Sequence, residues 1–298
     1  MSLLIDYPFP SATAWVDHFA GIELPILRLT ANRLAELRDT ANNINTRALA
    51  QIVVHDPLMT LRLFRTMKAN RSARQVVDIT TVERILVMIG TERFFSSCQD
   101  LPIIEHQLKA HPKAMLGLLK SVARSRQASI WARDWALLRQ NKSYEEIALA
   151  ALLHEFVEIL MYCFAPNLAI QARERLQAQP GLRSRAVQES VFGAPLADIM
   201  SGLVERWGLP ELLLTLLDPK DAEITNARYV NLALNLARHT ASGWNDPALP
   251  DDLHAIQELL FLGRSHLLER LGMTVRGSVR VPADGPDKLL YGLDNPRA

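Results

Sequence analysis

The chain has 298 residues, 49% of them hydrophobic and 22% charged, a balance that supports a sizeable apolar core and argues against disorder. Thirty-three basic against 32 acidic residues leave a net charge of +1, so no global field draws the chain to nucleic acid or to an anionic membrane. Two cysteines, Cys98 and Cys163, are too few for a disulfide framework or a cysteine-only zinc site and fit a reducing compartment.

The opening MSLLIDYPFP is acidic and broken by proline, unlike a secretory signal. Ser11 is placed to cap a short helix that runs to Ala20 and stops at Gly21. Leu24-Pro25 is expected to open a longer helix to about Asn42, with Ile26, Leu29, Ala31, Leu34 and Leu37 turned inward. Asn45 or Thr46 starts the next. His55-Asp56-Pro57 reads better as a helix start than as a metal pair, with Asp56 as N-cap and Pro57 in the first helical position. On the helix that follows, Arg62, Arg65 and Lys68 recur every third residue, and Arg71 and Arg74 come after. Such a stripe is expected to be a solvated face, with at most a partner-binding role that would also involve Asn70. Thr80 with Glu83 reads as a capping box and Gly90 as its helix's stop. A short helix from Thr91 to Cys98 follows, before Pro102 interrupts.

A long helix is expected from Lys113 to Gln140. After Asn141-Lys142 comes the most apolar stretch, IALAALLHEFVEILMYCF from Ile147 to Phe164, with Ser143 and Glu146 as a capping box and Pro166 as terminator. Apolar nearly all round, it reads as a single core helix, and its charges rule against a membrane span. His154, Glu155 and Glu158 interrupt it on roughly one side. Ionisable groups there need partners, since burying an unpaired charge is costly. Helices are expected at 167–178, 183–192, 195–206, 211–217 and 222–240, with Trp207-Gly208-Leu209-Pro210 as a turn. A helix pair then runs to about Leu271, and residues 275–281 alternate weakly, as a short strand would. The fold class is all-α. No nucleophile elbow, Walker motif or dinucleotide fingerprint is present.

Several of these motifs, in order, resemble one family. Leu24-Pro25, His55-Asp56-Pro57 with Leu61 and Phe64, Asn70, and TTVERILVMIG at Thr80 to Gly90 resemble the N-terminal half of HDOD (HD-related output) domains, which are bacterial signalling modules. Ala151-Leu152-Leu153-His154-Glu155 resembles the family's GLLHD helix, and Trp207 to Pro210 its WGLP turn, with Glu189 and Gly193 ahead of it. The resemblance spans roughly residues 20–265. It implies a multi-helix architecture: an N-terminal helical subdomain (1–110), a bundle like that of HD phosphohydrolases (111–273) and an irregular tail (274–298). HD phosphohydrolases hold metal with a histidine, a His-Asp pair and a later aspartate. Carried onto this chain, the first histidine falls at Arg124 and the His-Asp pair at His154 and Glu155; a further family histidine ahead of the WGLP turn falls near Leu196, and one or two beyond it near Asp218.

Arginine offers only donors and leucine none, so neither can ligate. His154-Glu155 with Glu158 resembles an H-E-x-x-H zinc helix but lacks the second histidine. The resemblance therefore implies a degenerate metal site, with Arg124 standing in for the cation beside Glu155 or Glu158 and His154 hydrogen-bonded in the core. No catalytic residue, metal or cofactor is expected. The chain reads as a non-catalytic, cytoplasmic signalling module that acts through contacts with an unidentified signalling protein. No receiver domain accompanies the matched region, so input is expected from a separate protein or a ligand. Two alternatives stay open: a metal-dependent phosphohydrolase with altered ligands, and a nucleotide-binding regulator that uses the cluster Arg124, His154, Glu155 and Glu158 as its cleft.

Overall fold

The computed structural model describes residues 4–40, 45–70, 81–179, 183–217 and 224–273. Its fold is all-α; among the described residues there is no named strand, only an isolated parallel bridge between Ile26 and Ile103. The first half comprises α1 (Ala12–Gly21), α2 (Arg28–Thr40), α3 (Thr46–Val53), α4 (Pro57–Asn70), α5 (Val82–Ile89), α6 (Thr91–Ser97) and α7 (Ile104–Gln107). The long α8 (Pro112–Leu138) leads to α9 (Tyr144–Leu153), α10 (Phe156–Phe164), α11 (Pro166–Ala178) and α12 (Ser184–Phe192). The rest is α13 (Leu196–Trp207), α14 (Leu212–Thr215), α15 (Thr225–His239), α16 (Leu249–Leu260) and α17 (Arg264–Arg270).

Side-chain caps set several starts in the first half. Ser11 accepts from the Ala14 N–H at 3.2 Å, and Asn45 from the Arg47 N–H at 2.9 Å. Asp56 caps α4, its Oδ1 accepting from Leu58 and Met59 at 2.9 and 3.2 Å. Its other oxygen accepts from the Leu27 N–H at 2.9 Å, so one wholly buried carboxylate ties the entries of α2 and α4 together. That contact shows why α2 starts at Arg28 rather than at Leu24-Pro25. Residues 24–27 are drawn into extended contacts, the Ile26 N–H donating to the Pro102 carbonyl and the Ile104 N–H to the Ile26 carbonyl. Glu105 then accepts from the Arg28 N–H at 3.0 and 3.1 Å, capping α2 from a distant element. Leu29, expected inward, is 42% exposed.

Two capping boxes form otherwise than expected. Thr81, not Thr80, caps α5 by accepting from the Arg84 N–H; Thr80 lies outside the described residues. Ser143 makes no side-chain cap bond, and Asn141 instead accepts from the Ser143 N–H at 2.9 Å. The central stretch is two helices, α9 and α10, parted at His154 and Glu155. By length and composition Tyr144–Phe164 could cross a membrane, contrary to the expectation that its charges rule this out, yet 83% of its most apolar window is buried inside the fold. It forms the middle of the core, clamped by α8 on one side and by α13 and α15 on others. Gly117 of α8 lets α10 approach closely; a Cβ there would lie 2.5 Å from the Tyr162 ring. The expected strand at 275–281 and tail 274–298 lie outside the described residues.

Candidate functional site

The polar cluster sits where α8 crosses the break between α9 and α10. Arg124 extends from α8 and its Nε donates to both oxygens of Glu155, at 3.0 and 2.9 Å. One terminal nitrogen lies 2.7 Å from Glu155 Oε2 and 3.4 Å from Glu158 Oε2. Ser121, one turn earlier, donates to Glu158 Oε1 at 3.0 Å and accepts from Arg124 at 3.3 Å. One cation and one hydroxyl thus serve two carboxylates, a geometry that suits the planar donor fork of arginine. The Arg124 and Glu155 side chains are 20% and 9% exposed, so solvent screens the pair little.

The electrostatics follow from that arrangement. Burial works against the charge of Arg124, but Glu155 and Glu158 outweigh it and hold its pKa above the ordinary value. Burial raises the pKa of Glu158, as does the like charge of Glu155, while Arg124 and the Ser121 hydrogen bond oppose the rise. His154 is pushed down to about 4, first by burial and then by Arg238 and Arg124, with Glu158 acting the other way. Its Nδ1 is shielded from solvent and has no hydrogen-bond partner. The expected hydrogen-bonded core histidine is therefore a neutral imidazole with one nitrogen unserved.

Among the described residues no three His, Cys, Asp or Glu side chains converge as a metal ion requires. The donor set does not fit a divalent metal either, because the guanidinium lies on the carboxylate that would bind it. Leu196, at the start of α13, packs against the apolar core, and Asp218 lies outside the described residues. Sequence reasoning missed Ser121, Ser125 and Arg238. Ser121 and Ser125 are almost wholly buried on α8, one turn apart and flanking Arg124, and the Ser125 hydroxyl has no partner. A small polar residue one turn from a buried charge was the available signal.

The second predicted group, Arg62, Arg65 and Lys68, is solvated only in part, with Lys68 exposed and both arginines half-buried. Arg62 pairs with Glu23 at 3.2 Å and donates to the Ser97 carbonyl at 2.7 Å. Arg65 donates to the carbonyls of Ile22 and Ala20 at 2.8 and 3.1 Å, and its guanidinium lies 5.3 Å from the Trp207 ring centre. Lys68 donates to the Glu205 carbonyl on α13. Each long side chain is spent on neighbouring backbone, which a periodic pattern alone does not reveal. The side chain of Asn70, like Arg71 and Arg74, lies outside the described residues. Trp207 is 3% exposed, packed against Phe156 at a ring separation of 6.0 Å.

The HDOD domain family model matches residues 24–221, well over half of the chain. The chain belongs to the HDOD family. The fold of this HDOD chain is similar to that of the MmoQ response regulator of Methylococcus capsulatus strain Bath, with 18% identity, a TM-score of 0.61, and coverage of 80% of this chain and 98% of that one. It is similar too to a virulence factor of Campylobacter jejuni subsp. jejuni, with 18% identity, a TM-score of 0.63, and coverage of 88% and 91%. At that identity the likeness is one of fold. No curated protein matches the chain.

Proposed function

We propose that this HDOD chain is a non-catalytic regulatory module of bacterial cytoplasmic signalling that acts through contacts with a partner protein. One observation carries the reading: the Arg124 guanidinium lies on Glu155 and within reach of Glu158, the position where a cation would otherwise neutralise these carboxylates. A fixed positive side chain there repels a metal ion, and without one the cluster has no means of activating water for phosphoester hydrolysis. The test is metal analysis of the purified chain, with hydrolysis of an activated phosphodiester measured in added Mn²⁺. Substoichiometric metal and hydrolysis no faster than the blank are expected. One tightly held metal per chain, lost together with activity on chelation, would overturn the reading. For the partner, proteins retained by the chain from its native host are identified; reproducible retention of a signalling protein that also binds in purified form is expected.

A second reading, that the Arg124 cluster takes a small ligand, is favoured by two unpartnered buried atoms, His154 Nδ1 and Ser125 Oγ. A thermal-shift screen with mono- and cyclic dinucleotides tests it, since a ligand that binds only the folded state raises its melting point.

A further inference from the structure

The residues of the basic stripe meet again at an open cavity of about 560 Å³ between the Ala20–Glu23 connection, α4 and the end of α13. Its wall includes Arg62, Arg65, Lys68 and Arg206, with Glu23 as the one carboxylate. The hydrogen bonds of these cations are largely met, but their charges are met only in part, since Arg62 and Arg206 have carboxylate partners and Arg65 and Lys68 bond to carbonyls. Arg65 and Lys68 donate to neutral carbonyls, and Arg62 divides its donors between Glu23 and the Ser97 carbonyl. Arg206 has a 3.8 Å contact with Asp17, and both side chains are more than half exposed. A carbonyl satisfies a donor without cancelling its charge, so the wall keeps an excess of positive charge. Burial and then the neighbouring Arg62 lower the pKa of Arg65, with Glu23 acting the other way. Two N–H donors of the lining residues, Arg62 Nε and Trp207 Nε1, are buried with no acceptor.

We infer that this cavity is a binding site for a small phosphate-bearing anion, seated where the N-terminal helices meet the HD-like bundle. Its volume falls within the range of roughly 300–1,000 Å³ typical of small-ligand sites. Arginine forks and a lysine are the side chains that recognise phosphate. The Trp207 ring is buried beneath Arg65, so it offers no stacking platform, and recognition rests on the phosphate rather than on a base. The ligand would touch both halves of the molecule and tighten their contact. This inference stands independently of whether the Arg124 cluster is catalytic.

Isothermal titration of the full chain with inorganic pyrophosphate, and separately with ADP, tests it. Two variants are compared, Arg206→Gln and Lys68→Met, with circular dichroism melting to show that each is folded. Arg206 carries only a long, exposed ion pair, so Arg206→Gln keeps the test readable if Lys68→Met loosens the fold. Pyrophosphate is expected to bind the wild-type chain with Kd below about 1 mM, to bind Arg206→Gln about three- to tenfold more weakly, and to weaken with added salt. ADP binding no weaker than pyrophosphate identifies an organic phosphate as the ligand class and supports the site; pyrophosphate binding alone supports it through the phosphate. Absence of binding by either probe at about 10 mM to folded wild type overturns it. Binding that is unchanged in Arg206→Gln and in folded Lys68→Met also overturns it, as does capture of a polyaspartate peptide without pyrophosphate binding, which would assign the patch to a protein partner.

Discussion

At the scale of single residues, the Arg124 and Glu155 pair is largely enclosed, so each partner's charge depends on the other. Removing one leaves an uncompensated charge, which costs about 3–5 kcal/mol in a sealed interior and less here because Arg124 keeps 20% exposure. Arg124→Met and Glu155→Gln should each lower stability by about 2–4 kcal/mol, and the double variant by clearly less than their sum. Denaturant titration of the four proteins measures this; simple additivity would show that the two side chains do not interact in solution. His154 gives a pH prediction with a definite sign. Its pKa falls from 6.5 to about 4 on folding, so the unfolded chain takes up the proton first as pH drops. Its contribution is complete above pH 6.5 and is lost between 6.5 and about 4, a change of about 3 kcal/mol at 1.36 kcal/mol per pH unit. The groups facing it, Arg238, Glu158 and Arg124, are unchanged in His154→Gln, so the difference between the two stability profiles isolates the histidine. The gap should narrow as pH falls through that window, and parallel curves would refute the assignment.

At the scale of elements, long periodic helices were legible and their joints were less so. The expected helix at 113–140 is α8, Pro112–Leu138, and the amphipathic run at 222–240 contains α15, whose Ala227, Val230, Leu234 and Ala237 are all buried. The entry of α2 was missed because its determinants, Asp56 and Glu105, lie 29 and 77 residues away. The break at His154 and Glu155 was missed because hydrophobic periodicity continues straight through it. The ionisable part of the polar cluster was readable from charged residues on an apolar helix, but its serines carry only the weak signal of a small polar residue one turn from a buried charge. The turn after α13 shows what a local motif can carry. Trp207 is buried, Gly208 adopts φ +65°, and the Leu209 N–H closes back on Val204 at 3.0 Å. Trp207→Ala should cost about 3–5 kcal/mol, as large-to-small core changes do, and an unchanged denaturation midpoint would place the ring outside the core in solution. Gly193 is held more strictly. Its φ is +76° and a Cβ would come within 2.2 Å of the Phe9 carbonyl oxygen, so Gly193→Ala must displace the N-terminal segment. Its melting temperature should fall more than that of Gly21→Ala, whose added Cβ meets nothing within 4 Å.

At the scale of the molecule, the two halves share one interior. A single cluster of buried apolar residues runs from Trp15 and Leu24 through the α9–α10 stretch to Leu267. α1 belongs to the first half by sequence but packs on α13, with the Trp15 indole N–H donating to the Phe192 carbonyl at 2.7 Å. The Ile5 N–H donates to the Phe164 carbonyl at 2.7 Å, and Gln107 to the Cys163 carbonyl at 2.7 Å, so the N-terminal half grips the end of α10 from two sides. Arg65 and Lys68 add a third point of attachment at Trp207 and Glu205. Helices that share a continuous core and several buried hydrogen bonds lose most of their stability once separated, so the halves should unfold together. Differential scanning calorimetry should therefore show one transition, with the van't Hoff enthalpy close to the calorimetric value. Arg65→Met removes two backbone hydrogen bonds and the cation above Trp207, and it should move that transition to lower temperature without splitting it. Two resolved transitions in the wild-type chain would show that each half holds its fold alone. The basic cavity would then lie at a joint between independently stable bodies rather than within one.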